Sequence, residues 1–138
     1  MQEKKWIDCP VCGNKNCMKT RRGLTESFRL AGYPPPEKLT GLDGQFCTKC
    51  GDGFWSIASE RKIARHLAKH MALHDSSRVF AADLASIQEA AKHLRVSAQG
   101  VHKMIEDGRL RSVMVAGKRL PIRTDVMKKA KERRRAAS

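Results

Sequence analysis

The chain has 138 residues, of which 28 are Lys or Arg and 14 are Asp or Glu, so its formal net charge at pH 7 is +14. This length suits one ordinary domain or two small ones, and a small unit with little core usually needs a metal or disulfide. The excess of positive charge favours a polyanionic partner, and nucleic acid fits better than a membrane surface. No apolar run is long enough to span a bilayer, and the start MQEKKWIDCP lacks the hydrophobic stretch of a secretory signal. We therefore expect a cytoplasmic protein without a membrane partner.

The cysteines form two Cys-x-x-Cys turns, CPVCG at 9–13 and CTKCG at 47–51, each followed by glycine. In a zinc ribbon each such turn points two thiolates at one metal, and the glycine lets backbone N–H groups approach the sulfurs. A reducing compartment also favours metal ligation over disulfides. We predict one structural Zn²⁺, because four thiolates leave no open position for water. The predicted ligands are Cys9, Cys12, Cys47 and Cys50.

Other interpretations of the cysteines remain open. The turns could be unrelated pairs, or either could be a thioredoxin-like redox motif, but no βαβ pattern surrounds them. The separation of the turns is long for a short ribbon, yet doubling a loop costs only about 0.6 kcal/mol of closure free energy. In CGNKNC, Cys17 could replace Cys12 as a ligand, but Cys-Pro-x-Cys-Gly is the better turn. We expect Cys17 to be a bystander.

The segment between the two turns carries a resemblance. It contains an aromatic and Arg stretch in ESFRLAGYPPPEK and then the run LTGLDGQFCTKCG, in which Leu39 to Cys47 enters the second turn. With the paired turns, these elements resemble the N-terminal zinc domain of MqsA-type antitoxins, the YgiT-type zinc finger. In that family the zinc domain binds and neutralises a small ribonuclease toxin, and the metal is structural. The resemblance therefore implies a protein toxin as a partner.

The next segment, SIASERKIARHLAKHMALHDSS at 56–77, predicts an amphipathic helix and a linker. Its apolar face would consist of Ile63, Leu67 and Met71. On the basic face, Arg61 and Arg65 are candidates for docking an acidic toxin surface. A row of three histidines could bind a second metal, but no acidic or Cys partner shares its turns, so packed or solvated side chains are expected. These histidines are His66, His70 and His74.

The following residues predict two short helices joined by a tight turn. In SIQEAAKHL, Ser86 and Glu89 form a capping box that opens the first helix. In RVSAQGVHKMIEDGRL, Ser97 caps a second helix that stops at Gly108. This is a helix-turn-helix pattern. The alternation in SVMVAGKRLPI then predicts a hairpin with a basic tip, a wing, and RTDVMKKAKERRR predicts a closing basic helix with Thr124 as N-cap.

Residues 86–130 are similar to excisionase and MerR-like winged helix-turn-helix domains, which share Glu-Ala-Ala, a Val-Ser turn, a Gly-Arg-Leu stop, a Gly-Arg wing and an Ile-Pro-like return. The return LPI is a small departure from that pattern. In such a geometry the second helix enters the major groove, and Gln99 is the best adenine reader. The wing tip and flanking arginines would contact phosphates or the minor groove. The predicted DNA contacts are Ala98, Gln99, His102, Lys103, Arg109, Arg111, Lys118, Arg119 and Arg123.

Together these patterns predict an α+β chain with a small four-cysteine zinc-ribbon domain at 1–55, an amphipathic helix and linker at 56–77, and a winged helix-turn-helix domain with a basic tail at 78–138. The expected function is sequence-specific repression by binding double-stranded DNA, as the antitoxin of a toxin–antitoxin pair that autoregulates its operon. The alternative is a phage or mobile-element excisionase-like or regulatory DNA-binding protein without a toxin.

Three further expectations follow from the same patterns. MqsA-type antitoxins usually carry a different, Cro-like helix-turn-helix, so the resemblance does not imply their DNA contacts or dimer arrangement for this chain. A homodimer is one possible oligomeric state. No positioned nucleophile, paired carboxylates or open metal position is present, so we do not expect an enzyme. The wing favours duplex DNA over RNA, and few exposed aromatic residues are expected for base stacking.

Overall fold

The computed structural model describes residues 3–137, which form four α-helices and five β-strands, so the chain is α+β as predicted. It divides into two compact units, Met1–Ile63 and Ala64–Ser138. The sequence patterns placed the boundaries at 55/56 and 77/78, whereas residues 64–75 of the predicted amphipathic helix belong to the second unit. Within the described residues, every helix is too short or too polar to traverse a lipid bilayer.

The first unit is built on a three-stranded antiparallel sheet in the order β1-β2-β3. The strands are β1 (Met18–Glu26), β2 (Leu39–Cys47) and β3 (Gly53–Trp55). The register of β1 and β2 shifts between Arg21 and Leu24, at the positive φ of Gly23. Paired residues of neighbouring strands lie on the same face of a sheet, so Thr20, Gln45 and Phe54 share one face.

The first unit buries few large apolar side chains. Its buried cluster consists of Met18 and the thiols of Cys9, Cys17 and Cys47, with Trp6 packed against it. Leu42 in β2 is also fully buried. A unit with so small a core gains little free energy from apolar burial, and small units of this kind usually need a metal or disulfide crosslink.

Helix α1 (Ile57–Asp75) confirms the predicted helix in residues 56–77. Its first turn is held by side chains, because Ser56 Oγ accepts the N–H of Ser59 at 3.1 Å and Glu3 Oε1 accepts that of Ile57 at 2.7 Å. These bonds satisfy backbone donors that lack a partner within the helix. The predicted apolar face, Ile63, Leu67 and Met71, is half-buried.

The second unit continues with three helices and a two-stranded hairpin. The elements are a 3-10 turn (Ala81–Asp83), α2 (Ile87–Leu94), α3 (Ala98–Glu106), β4 (Ser112–Val115), β5 (Lys118–Pro121) and α4 (Arg123–Ala136). Both predicted serine caps are confirmed, since Ser86 Oγ accepts the N–H of Glu89 and Ser97 Oγ that of Gly100, each at 3.0 Å. Ala116 and Gly117, both at positive φ, close the predicted hairpin with a two-residue turn.

The predicted N-cap at Thr124 is wrong. Helix α4 begins at Arg123, after Ile122, and no side chain caps it. The carboxylate of Asp125 in its first turn instead accepts the N–H of Arg111 at 2.8 Å. The start of α4 is therefore tied to Arg111, the residue before β4, and is not capped by the hydroxyl of Thr124.

The core of the second unit is apolar. Helices α2, α3 and α4 each contribute buried side chains at helical spacing, which excludes water from their shared interface. The cluster includes Leu94, Val101, Met104, Ile105, Leu110 and Val126. A smaller cluster joins Val113 of the hairpin to Leu84 and Ile122. This unit therefore has a hydrophobic core independent of the cysteines.

Candidate metal centre and candidate nucleic-acid interface

The four predicted ligands converge in the first unit. The Sγ atoms of Cys9, Cys12, Cys47 and Cys50 all lie within 4.8 Å of one another. Across the two turns, Cys9 Sγ is 3.7 Å from Cys50 Sγ, and Cys12 Sγ is 3.7 Å from Cys47 Sγ. A tetrahedron with metal–sulfur bonds of about 2.3 Å has sulfur–sulfur edges of about 3.8 Å. The four thiols therefore have the spacing to hold one metal ion.

The two Cys-x-x-Cys turns have matching backbone geometry. Gly13 donates to the carbonyl of Cys9 and Gly51 to that of Cys47, each at 3.0 Å. Both glycines have positive φ, +74° and +78°, which a residue with a side chain adopts only at a cost. Within each turn the second cysteine donates its backbone N–H to the first sulfur at 3.4 Å. These N–H groups stabilise negative charge on the sulfurs.

The thiols differ in acidity because backbone donors and neighbouring sulfurs act in opposite directions. The N–H groups of Cys50 and Lys49 lower the pKa of Cys47 to about 6 against its loss of hydration. Backbone and side-chain N–H groups of Asn14 lower the pKa of Cys12. The pKa of Cys50 rises to about 12, because lost hydration and the three other thiols outweigh the N–H of Asp52. Without a cation, thiolates so close together oppose each other's ionisation, so a bound cation favours all four.

Cys17 lies beside this site without joining it. Its buried thiol donates to the carbonyl oxygen of Asn14 at 3.1 Å, and its sulfur is 3.4 Å from that of Cys47. Burial, followed by the neighbouring Cys47, raises the pKa of Cys17 to about 11. Among the residues that the structure describes, the group with metal-ligand spacing does not include Cys17. The expected bystander role fits a neutral, hydrogen-bonded thiol.

The histidine row on α1 does not form a comparable cluster. The rings of His70 and His74 lie 4.5 Å apart, at an interplanar angle of 56°. Within residues 3–137 the four cysteines are the one group of three or more side chains with metal-ligand spacing. In the described part of the chain, the histidine row is therefore not part of a group with metal-ligand spacing.

In the second unit, α3 separates an apolar face from a polar one. Val101, Met104 and Ile105 are buried in the core. All four residues predicted to meet DNA from this helix are exposed: Ala98, Gln99, His102 and Lys103. They occupy the first two turns of the helix, where side chains are free to reach a ligand.

The two predicted wing residues differ in their surroundings. Lys118 is exposed beside the Ala116–Gly117 turn. Arg119 is half-buried, and its guanidinium donates to Ser112 Oγ at 3.1 Å and to the carbonyl of Ile105 at 3.0 Å. Burial lowers the pKa of Arg119. Arg119 thus ties the hairpin to the end of α3, while Lys118 points to solvent.

The flanking arginines form ion pairs within the second unit. Arg123 pairs with Glu89 at 3.0 Å and also donates to the carbonyl of Ala82. Arg111 pairs at 3.0 Å with Asp75, whose side chain is only 4% exposed. The sequence patterns treated these arginines as surface cations, since the carboxylates that meet them lie 34 and 36 residues away.

Two further predicted residues share one carboxylate. Arg109 lies 3.6 Å from Asp107, and Arg65 lies 3.1 Å from it and 3.7 Å from Glu106. Arg65 was a candidate for docking a toxin, so such docking would compete with these pairs. Arg61, the other candidate, is exposed in the first unit.

Sequence reasoning missed a cleft on the first unit, which we call the Trp6 cleft. It has a volume of about 660 Å³, and its wall includes Lys4, Trp6, Arg22, Gln45, Phe54 and Ile57. The rings of Trp6 and Phe54 lie 5.9 Å apart. Gln45 holds the N-terminal segment over the sheet by accepting from the N–H of Trp6 at 2.8 Å and donating to the carbonyl of Lys4 at 3.0 Å. No local pattern predicts this pairing, because the two rings are 48 residues apart in sequence.

No known family model matches the chain, and no curated protein or solved structure is significantly similar to it.

Proposed function

We propose that this protein is a sequence-specific regulator that binds duplex DNA through a winged helix-turn-helix in its second unit. The main support is helix α3, which buries one face in the core and exposes the four predicted contact residues on the other. The charge distribution agrees, since residues 64–138 contain 17 Lys and Arg against 7 Asp and Glu. Residues 1–63 contain 11 against 7.

In this proposal α3 lies in the major groove, which is wide enough to admit a helix. The amide of Gln99 would read an adenine through two hydrogen bonds, while His102 and Lys103 contact nearby bases or phosphates. Lys118 at the hairpin turn would contact a phosphate. Arg119 and Arg123 act mainly inside the unit, because their guanidinium groups already bind the hairpin, α2 and the 3-10 turn.

The first unit is proposed to be a zinc ribbon with a structural role. Cys9, Cys12, Cys47 and Cys50 would hold one Zn²⁺, which supplies a crosslink between the segment before β1 and the turn after β2. Tetrahedral thiolate sites also accept iron, so a colourless protein containing about one equivalent of zinc supports the proposal. An iron-coloured protein contradicts the choice of metal.

For the biological role we propose the antitoxin of a toxin–antitoxin pair acting in the cytoplasm. It is supported by the resemblance of the paired Cys-x-x-Cys turns and the TGLDGQFCTKCG run to the zinc domain of MqsA-type antitoxins. The first unit would neutralise a small ribonuclease-type toxin, and the second would repress the shared operon. The similarity of residues 86–130 to excisionase domains supports the alternative, a mobile-element DNA-binding protein without a toxin. Co-expression with the adjacent open reading frames discriminates between the two roles, because only an antitoxin restores growth of cells that express a toxin from a neighbouring gene.

The DNA proposal is tested by selecting bound sequences from a random duplex library. The wild-type protein should enrich one motif, and Gln99→Ala should lose preference at one adenine at a cost of about 1–3 kcal/mol. Gln88→Ala is the matched control, since Gln88 is an exposed glutamine on α2 and should leave the motif unchanged. A wild-type protein that enriches no motif, or binds with salt-independent affinity, would falsify the proposal.

A further inference from the structure

The Trp6 cleft presents aromatic side chains to solvent on one face of the small sheet. Phe54 is 40% exposed, and Ile57, at the start of α1, is 46% exposed. Trp6 is half-buried, with one side of its surroundings formed by the cysteine cluster. Lys4 Nζ lies 3.9 Å from the centre of the Trp6 ring. A lysine side chain is flexible, so a planar ligand can displace it from the ring at little cost.

The position of these rings is fixed by the sheet. Phe54 on β3 pairs with Gln45 on β2, which in turn pairs with Thr20 on β1. The two hydrogen bonds of Gln45 to the backbone of Lys4 and Trp6 hold the indole beside Phe54. The rings are tilted by only 31°. A rigid pair of partly exposed rings loses little conformational entropy when a flat ligand stacks on it.

The charges of the cleft favour an anionic ligand. Lys4, Lys5 and Arg22 line it together with two carboxylates, those of Glu3 and Asp43. Both carboxylates accept backbone N–H groups, from Ile57 and Gly23. Within residues 3–137, Lys5 and Arg22 are exposed and take part in no ion pair. These cations are therefore available to bind phosphates beside the rings.

We infer that the Trp6 cleft binds single-stranded nucleic acid, with one or two unpaired bases stacked on Phe54 and Trp6 and the adjoining phosphates contacted by Lys5 and Arg22. Stacking platforms flanked by cations bind single strands with little sequence preference, because every base has a flat face. A duplex keeps its bases stacked on each other and cannot supply them to the rings. This activity is separate from duplex binding by the second unit and does not depend on it.

The experiment uses the full-length, metal-loaded protein and its tryptophan fluorescence. Both tryptophans, Trp6 and Trp55, lie in the first unit, so a Trp55→Phe background reports on Trp6 alone. Titration with oligothymidine should quench this signal, and an equal concentration of a duplex without the selected motif should quench it less. A parallel titration with oligouridine compares single-stranded RNA with single-stranded DNA. Equal quenching means that the cleft accepts both.

Two substitutions test the assigned contacts. Phe54→Ala should weaken oligothymidine binding by roughly 5- to 150-fold, the range expected for removing one stacking ring. Arg22→Ala should reduce the slope of log affinity against log salt by about 0.7. Matched controls are Phe80→Ala, a 79% exposed phenylalanine of the second unit, and Arg29→Ala, an exposed arginine outside the cleft lining. Both controls should bind oligothymidine like the parent protein.

Metal content and far-ultraviolet circular dichroism separate a lost contact from a lost fold. A Phe54→Ala protein that keeps one metal equivalent and the parent's spectrum, but loses binding to oligothymidine, supports the inference. Phe54→Leu provides a second check, because it keeps apolar bulk without an aromatic ring and should bind as weakly as Phe54→Ala. Unchanged oligothymidine affinity in both variants overturns the inference. So does quenching of the Trp6 signal by the duplex as strong as that by oligothymidine, because a duplex does not supply unpaired bases to the rings.

Discussion

The two units are stabilised in different ways. The first unit has a cluster in which three of the four buried residues are cysteines, with two matched turns that aim four thiols at one point. The second unit has an apolar cluster shared by three helices, with arginine–carboxylate pairs around it. One unit thus gathers thiols with the spacing to hold a metal ion, and the other buries apolar side chains. Each unit should therefore respond to a different perturbation.

The largest expected effect is loss of the metal site. Cys47→Ser should abolish metal binding and unfold the first unit, because apparent binding free energies of structural zinc sites are about 10–16 kcal/mol. Helices α2 to α4 should persist, since their core contains no cysteine. Metal analysis and far-ultraviolet circular dichroism measure both outcomes. Cys17→Ser is the matched control and should retain the metal; a metal-free Cys17→Ser protein would instead make Cys17 a ligand.

The reciprocal change acts on the apolar core. Leu94 is 2% exposed in the cluster between the helices of the second unit. Leu94→Ala should lower the free energy of unfolding of this unit by about 2–5 kcal/mol, because it removes buried methyl groups and leaves a cavity. Metal content should not change. Denaturant titration followed by circular dichroism gives the stability, and loss of metal in this variant would contradict the separation of the two units.

A smaller effect should separate the two adjacent hairpin cations. Arg119→Ala removes hydrogen bonds to Ser112 and Ile105, so it should lower the stability of the second unit by about 1–2 kcal/mol. Lys118→Ala removes an exposed charge and should leave the melting temperature unchanged. In DNA titrations, Lys118→Ala should reduce the salt slope by about one and weaken all sequences alike. Equal melting temperatures for the two variants would count against the structural assignment of Arg119.

The smallest expected effect concerns acid stability at Glu89. Its pKa lies below the ordinary 4.5, chiefly because Arg123 donates to its carboxylate and also because the backbone of Ser86 does. A lowered folded-state pKa means that Glu89 stabilises the fold above its unfolded pKa, and that this contribution fades as pH falls through the folded value. Glu89→Gln should therefore show a shallower loss of melting temperature on acidification below about 4.5. Glu132→Gln, at an exposed position on α4, should behave like the parent.

The sequence predicted features whose determinants are close together in the chain. Ser86 and Ser97 cap helices because their hydroxyls reach an N–H three residues away, and Ala116 with Gly117 closes the hairpin locally. The grouping of Cys9, Cys12, Cys47 and Cys50 was also predicted from the sequence. Each Cys-x-x-Cys turn is a local structure that supplies two thiols, and two such turns complete a set of four ligands.

Features that depend on tertiary pairing escaped prediction. The carboxylates of Glu89 and Asp75 meet Arg123 and Arg111 only after folding, so the arginines looked free for DNA. The Trp6 cleft likewise depends on Gln45 meeting the backbone of a distant segment, and the expectation of few exposed aromatic residues overlooked it. A charged or aromatic side chain can contact a ligand or another part of the same chain, and its spacing in the sequence does not show which contact forms.

The backbone conformation of the hairpin turn offers a way to raise the stability of the second unit. Ala116 holds a φ of +49°, a left-handed conformation that costs an alanine about 1–2 kcal/mol, whereas asparagine tolerates it. Asn-Gly is the pair that two-residue turns of this kind prefer. Ala116→Asn should therefore stiffen the hairpin. If Lys118, at the end of this turn, contacts DNA, the stiffer hairpin would be preorganised for binding. A substitution that does not change the charge would then raise both thermal stability and DNA affinity.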